Sequence, residues 1–156
     1  MTSQPQVFRV QIQEIMIDPV TNLPVVILSV PEREKVLPLW VGLFEANAIA
    51  LELEGIVAPR PMTHDLFKNA VQAMGGTVTR VGLTGFRENT FFATVFIQHR
   101  GEELKVDARP SDAFSLALRF RVPIYVDGAI LESVETFDTA ERWFNHASSD
   151  VRGDAG

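Results

Sequence analysis

Hydrophobic and polar residues alternate near the start of the chain with the period of a half-buried β-strand, over residues 8–12. A turn at 18–22 precedes a continuous apolar run, 25–28, which is typical of a buried strand. The next apolar segment, 36–41, contains Pro38, and proline cannot donate a hydrogen bond within a sheet. We therefore predict an antiparallel meander of three strands, with Pro38 in an edge strand or at a bulge.

After Gly42 the apolar spacing becomes helical, and Gly55 is suited to end this first helix. A second helix is predicted to be capped by Thr63 and to end at Gly75-Gly76. The apolar stripes expected to face the core are formed by Phe44, Ala48 and Leu51 in the first helix and by Leu66, Phe67, Ala70, Val71 and Met74 in the second.

Three further strands are predicted over residues 78–83, 91–97 and 104–106, each bounded by turn residues. A third helix, capped by Ser111 and running to about Phe120, is apolar nearly all round and is therefore expected to be buried. A short strand at 123–126 follows. The pair Asp138 and Glu141 resembles a capping box for a last helix that ends at about Asn145.

Strands that come in runs, with helices spread unevenly among them, favour an α+β fold over a regular βαβ winding. We predict a mixed, mainly antiparallel sheet built from meanders, with about four helices packed against it. A chain of 156 residues fits one domain, which we assign to 1–147. The small and polar stretch 148–156 is predicted to be a flexible C-terminal tail.

The composition excludes several classes of site. With no cysteine, the chain has no disulfide, no thiolate zinc site and no cysteine nucleophile. Residues 1–5 do not resemble the start of a signal peptide, and no apolar run approaches the roughly 20 residues of a membrane span, so we expect a cytoplasmic protein. The net charge of −6 argues against tight, non-specific binding of nucleic acid.

The first candidate site is the helix start that contains Arg60-Pro61, His64 and Asp65. A helix N-terminus attracts anions, and an adjacent arginine offers a planar fork for phosphate or carboxylate. His64 is suited to transfer a proton near neutral pH. The alternative is that these residues only begin the helix, and that Asp65 simply complements the helix dipole.

The second candidate site is the segment from Asp107 to Asp112, where Arg109-Pro110 precedes the third helix. Carboxylates of this kind bind Mg²⁺, which leaves its other positions to water and phosphate. The alternative is a structural network in which Arg109 pairs with Asp107 or Asp112. Glu45, in the first turn of the first helix, is either a further metal ligand or only a partner of the helix dipole.

Four ordered motifs resemble the bifunctional nuclease domain family: 37–42 with Glu45, 59–66, 88–93 and 107–113. The similarity extends over nearly the whole chain, from about Val7 to about Leu131. The resemblance implies a compact α+β protein that tends to self-associate, and nuclease activity towards RNA and DNA, as reported for plant relatives.

Together these observations lead to the hypothesis of a metal-assisted phosphodiesterase acting on RNA or DNA. Mg²⁺ or Mn²⁺ would be held by Asp65, Asp107 and Asp112, with Glu45 as an additional candidate ligand, and His64 would transfer a proton. The expected substrate-binding residues are Arg60, Arg109, Ser111 and Asn89, of which Asn89 is most simply a turn residue tolerant of left-handed geometry.

The rival hypothesis is a non-catalytic, oligomeric binding or regulatory module in which the arginines and aspartates pair with each other. The acidic net charge favours it. Trp40 and Trp143 are expected to be packing residues and not base-stacking platforms, because neither lies in a basic segment.

Overall fold

A seven-stranded sheet organises the chain. The structure, a computed structural model, describes residues 6–153, so the expectations for residues 1–5 and 154–156 lie outside the described residues. The elements in chain order are β1 (Val7–Ile17), β2 (Pro24–Val30), a 3-10 turn (Pro31–Arg33), β3 (Lys35–Trp40), α1 (Leu43–Leu53), α2 (Thr63–Ala73), β4 (Thr77–Arg87), β5 (Thr90–His99), β6 (Glu102–Ala108), α3 (Pro110–Phe120), β7 (Ile124–Asp127), α4 (Gly128–Ser133) and α5 (Ala140–Gly153).

The sheet consists of two antiparallel meanders joined by one short strand. Its order is β3-β2-β1-β7-β4-β5-β6. Strand β7 pairs antiparallel with β1 and parallel with β4, so it alone makes the sheet mixed. This confirms the predicted α+β class and the mainly antiparallel sheet. Residues 6–153 form five α-helices instead of about four, because the short α4 follows directly after β7.

Strand β3 lies at one edge of the sheet, as the proline within it predicts. Val36 exchanges backbone hydrogen bonds with Phe137, N to O, at 2.7 and 3.0 Å on the side away from β2. Backbone groups alternate in direction along a strand, so Pro38 turns its nitrogen towards the same edge. The missing N–H therefore costs no hydrogen bond with β2.

A two-residue turn of Glu88 and Asn89 joins β4 to β5. The φ angles of these residues are +52° and +57°, and two consecutive left-handed residues form the tight hairpin turn that matches strand twist. Asn89 tolerates this geometry well, so its predicted role as a turn residue is confirmed.

Helix α3 is buried, as its apolar composition predicts, and Phe114 on it is almost completely enclosed. Its predicted start is wrong by two residues. The helix begins at Pro110 with Arg109 as N-cap, because proline is already preset for the first helical position. Ser111 is therefore inside the first turn and is not the cap.

The predicted cap of α2 is also displaced, since Met62 and not Thr63 is the N-cap. The Met62 backbone N–H donates to Asp65 Oδ2 at 2.9 Å, so the carboxylate at the third helical position satisfies the N–H of the N-cap, as in one half of a capping box.

The predicted buried stripes of α1 and α2 are largely wrong. On α1, Ala48 is buried as predicted, but Phe44 is 86% exposed, and the helix buries Ala46 and Ile49 as well. On α2 only Val71 is buried, whereas the other four apolar residues of the predicted stripe are exposed: Leu66, Phe67, Ala70 and Met74. These two helices thus leave apolar side chains on the surface.

Helix α5 differs from its prediction at both ends. Its first turn is capped by Thr139, whose Oγ1 accepts from the Arg142 N–H at 3.0 Å, and not by Asp138. It continues to Gly153 instead of ending near Asn145, so residues 148–153 of the predicted tail are helical. Trp143 anchors it to β2 and β3 in a second apolar cluster. Within residues 6–153 no helix is long and apolar enough to span a membrane.

Candidate functional site

The starts of α2 and α3 meet through a histidine–aspartate pair. His64 Nε2 lies 2.9 Å from Asp112 Oδ1, although the two residues are 48 positions apart in the chain. Both side chains are partly buried. A carboxylate in this position orients the imidazole, which prepares a histidine for proton transfer.

Arg109 connects this pair to a third helix start. Its Nε donates to Asp112 Oδ2 at 2.9 Å and its Nη2 to Asp112 Oδ1 at 3.3 Å, which makes the pair bidentate. Its Nη1 donates to Glu45 Oε1 at 3.0 Å. The alternative predicted for Arg109, pairing with Asp112, is thus present. The side chain is nevertheless 64% exposed, and a guanidinium has five N–H groups, so donors are left for an anion.

Gly42 makes room for the carboxylate of Glu45. A Cβ atom at position 42 would lie 2.1 Å from Glu45 Oε2, so Glu45 folds back over the start of α1 only because residue 42 has no side chain. The negative charge then lies at the positive end of the helix dipole and beside Arg109. Both readings of Glu45, a dipole partner and a member of the site, are compatible with this position.

The charges of this group stabilise one another. Burial alone raises the pKa of Asp112, but the hydrogen bonds from Arg109 and His64 outweigh it, and the pKa lies below the ordinary value. The hydrogen bond with Asp112 raises the pKa of Arg109, and Glu45 adds to this effect. We refer to His64, Asp112, Arg109 and Glu45 as the polar network.

Asp65 belongs to a second network, centred on the buried Arg119, which sequence reasoning missed. The Arg119 side chain is 3% exposed, and its Nε donates to Asp65 Oδ1 at 2.8 Å. Its Nη1 and Nη2 donate to the backbone oxygens of Ser115 at 3.1 Å and Ala48 at 3.4 Å. The backbone hydrogen bond from Met62, followed by the contact with Arg119, holds the pKa of Asp65 below its ordinary value.

Arg119 therefore ties α1, α2 and α3 together from the inside. The sequence contained one sign of this network, a cation near the end of a largely apolar helix. A buried arginine requires an acidic partner, so the sign predicts that such a partner exists. That sign does not identify the partner, because Asp65 is 54 residues away and on another helix.

Two further predicted site residues, Arg60 and Asp107, are not part of the polar network. Arg60 is exposed and makes no ion pair with any residue from 6 to 153. Asp107 is exposed on β6, opposite Thr94 of β5. In the part of the chain that the structure describes, no three His, Asp or Glu side chains are grouped so as to hold a metal ion. The three predicted metal ligands are therefore not assembled by the chain itself.

A cleft of about 960 Å³ opens beside Arg109 and Glu45, between β3, the β4–β5 hairpin and α5. Ser111 and Asn89 lie on its wall. His64, Asp65 and Asp112 are not among its lining residues, so the cleft adjoins the polar network at Arg109 and Glu45 only.

Trp40 forms part of the cleft wall and is held in place by Asp18. Its indole Nε1 donates to Asp18 Oδ2 at 2.7 Å, and its ring packs edge-on against Trp143 at a centroid distance of 6.3 Å. The packing role predicted for Trp143 is confirmed, since it is buried. Trp40 also packs, but it leaves 50% of its surface exposed.

Comparison with known proteins identifies the family. Residues 26–139 match the family described as "Bifunctional nuclease domain". The chain is 40% identical over 122 residues to "Uncharacterized protein Rv1829" of Mycobacterium tuberculosis, covering 78% of this chain and 73% of that protein.

Plant relatives are more distant. "Bifunctional nuclease 1" of Oryza sativa subsp. japonica is 29% identical over 97 residues, which cover 60% of this chain and 29% of the rice protein. "Bifunctional nuclease 2" of the same plant is 26% identical over 114 residues, covering 70% of this chain and 35% of that protein. The match to the family begins within β2 and includes the whole second meander and all the residues of the polar network. The chain belongs to the bifunctional nuclease domain family.

Proposed function

We propose that this protein hydrolyses phosphodiester bonds of RNA or DNA, with the polar network at the centre of the site. The observation that carries the proposal is the pair formed by His64 and Asp112 at 2.9 Å, beside an arginine with unused N–H groups. The names of the plant relatives, which describe nucleases, agree with it.

Each member of the network has a role suited to its contacts. The imidazole of His64, oriented by Asp112, takes a proton from the attacking water or gives one to the leaving oxygen. The remaining N–H groups of Arg109 bind the phosphate, and the exposed Arg60 adds positive charge near the start of α2. With a net charge of −6, the molecule holds its substrate through these local contacts and not through its overall field.

A divalent ion, Mg²⁺ or Mn²⁺, is part of the proposal. Mg²⁺ needs only one or two protein carboxylates when water and phosphate complete its shell. Glu45 and Asp112, which both contact Arg109, are the carboxylates that would hold the ion beside the phosphate, whereas Asp65 contacts the buried Arg119. Such an ion activates water and neutralises charge on the phosphate. The cytoplasmic location stays a prediction.

The direct test is hydrolysis of fluorescently labelled single-stranded RNA and DNA by purified protein, with Mg²⁺, with Mn²⁺ and with EDTA. We expect turnover with a divalent ion, loss of turnover in EDTA, and a rate at least about tenfold lower in Asp112→Asn, because the amide no longer orients the imidazole as the carboxylate does.

The matched control is Asp138→Asn, an exposed aspartate that pairs with Lys35 and makes no ion pair with the polar network. It should leave the rate unchanged. Turnover that survives both chelation and Asp112→Asn would overturn the site, and no turnover on either polymer would support the non-catalytic alternative.

We also propose that the chain self-associates through an apolar surface on α1 and the segment after it. Its exposed apolar residues are Leu43, Phe44, Leu53, Ile56 and Val57. Exposed apolar side chains of this size are candidates for an interaction site, and a second copy of the chain is the occupant that the family resemblance implies.

Phe44→Ser is expected to weaken this self-association by at least about tenfold in dissociation constant, because burying a phenylalanine contributes roughly 1.5–3 kcal/mol. Sedimentation velocity over a range of concentrations measures the change. Leu104→Ser, an exposed apolar residue on the opposite edge strand β6, serves as control and should leave the association unaltered. A wild-type chain that stays monomeric throughout the range contradicts this proposal.

A further inference from the structure

We propose that the cleft beside Arg109 receives one unstacked base of a single-stranded nucleic acid, stacked on Trp40. This inference rests on the proposed function and deepens it, because it assigns the recognition of the substrate's base to a surface outside the polar network. The cleft has the size of a ligand site, about 960 Å³, and one wall of it is aromatic.

Trp40 is fixed as a platform before any ligand binds. The carboxylate of Asp18 accepts the indole N–H at 2.7 Å through Oδ2, while its Oδ1 accepts the backbone N–H of Val20 at 2.8 Å. Asp18 itself is buried, and these hydrogen bonds keep the pKa of its carboxyl below the ordinary value against the opposing effect of burial. A ring held in this way loses little freedom when a base stacks on it.

The aromatic character of the cleft continues on the opposite side. Phe86 and Phe91, next to the β4–β5 turn, also line it, and their rings lie 4.6 Å apart between centroids. Nucleobases stack on such side chains whatever their sequence, because every base has a π-face. The cleft therefore matches a flat, uncharged heterocycle.

The charges around the cleft determine which part of a nucleotide enters. Among the side chains that the structure describes, four carboxylates line the cleft, from Asp18, Glu45, Glu135 and Asp150, and one arginine, Arg109. A phosphodiester backbone inside the cleft would be repelled by this excess of negative charge. A neutral base is not repelled, and its phosphate then stays outside, at Arg109.

This arrangement places the base and the reacting phosphate on opposite sides of the same arginine. Arg109 lines the cleft and also contacts Asp112, which holds His64. A base in the cleft would thus bring an adjoining phosphate to the polar network. Bases in a duplex are already stacked and paired, so the site selects single strands or loops.

The test is quenching of tryptophan fluorescence by a short phosphorothioate DNA strand, which resists hydrolysis, compared with the same strand made abasic at every position. We expect quenching by the first strand and at least about tenfold weaker binding of the abasic one. Trp40→Ala should weaken binding of the base-containing strand to the level of the abasic strand. Fluorescence anisotropy of a labelled strand measures binding by this variant.

Trp40→Phe keeps an aromatic face and should retain most of the affinity, which also guards against a folding defect in Trp40→Ala. Equal binding of the two strands by the wild type overturns the base site, and it does so even if RNA or DNA is hydrolysed and the proposed function stands. Base-dependent binding that needs Trp40, without any hydrolysis, supports the base site and removes the proposed function instead.

Discussion

Arg119→Ala is expected to lower the free energy of unfolding by about 3–5 kcal/mol, the range typical for removing one partner of a buried ion pair. The guanidinium is 3% exposed and contacts Asp65 together with the carbonyls of Ser115 and Ala48. Alanine would leave the carbonyls unpaired and deprive the carboxylate of its cation. Urea unfolding followed by circular dichroism measures the loss, provided that the slope of the transition is unchanged.

The matched control is Arg80→Ala. Arg80 also pairs with a carboxylate, that of Glu103 at 2.8 Å, but the pair is exposed on the sheet and should contribute at most about 1 kcal/mol. If both substitutions had equal effects, Arg119 would not be the internal link between the three helices. Asp65→Asn combined with Arg119→Met should recover part of the stability, because a buried pair is replaceable when both charges are removed together.

His64→Gln is expected to reduce kcat/KM for a single-stranded substrate by at least about a hundredfold, the lower range of the contribution of general acid–base catalysis. Glutamine keeps a hydrogen bond to Asp112 within reach but cannot take up and release a proton. The loss should fall on kcat and leave KM nearly unchanged, because His64 is assigned to proton transfer and not to binding of the phosphate.

His99→Gln provides the control for this substitution. His99 Nε2 also makes one hydrogen bond, with the backbone oxygen of Met74 at 3.0 Å, but it lies at the end of β5 and outside the polar network. Its replacement should leave kcat unaltered. A His64→Gln protein with wild-type kcat would show that the histidine–aspartate pair is structural.

Much of the sheet could be predicted because alternation and turn residues act locally. Pro38 at the edge and Asn89 in the turn are cases where one residue type determines the local backbone. The faces of α1 and α2 could not be predicted in this way. The spacing of Phe44, Leu66 and Met74 shows that these residues share a face with other apolar residues, but it does not show whether the chain itself covers that face.

The site was predictable only in part, for a related reason. Arg109 and Asp112 belong to the same helical turn, so the structural alternative, an ion pair between them, could be named from the sequence. The contacts of Asp112 with His64 and of Asp65 with Arg119 depend on how helices far apart in the chain are packed. An isolated charge in an apolar segment indicates that it has a partner of opposite charge, but it does not indicate where in the chain that partner lies.

The position of β7 has a consequence for how the chain folds. Each meander consists of neighbouring strands that pair locally, but the two halves become one sheet only through β7, whose Asp127 pairs with Val7 and whose Ile124 pairs with Val81. During synthesis the first meander therefore emerges with β1 unpaired on one side. That open edge is available for mistaken pairing until residue 127 has left the ribosome, and such late, non-local pairing is the slow step in sheets of this kind.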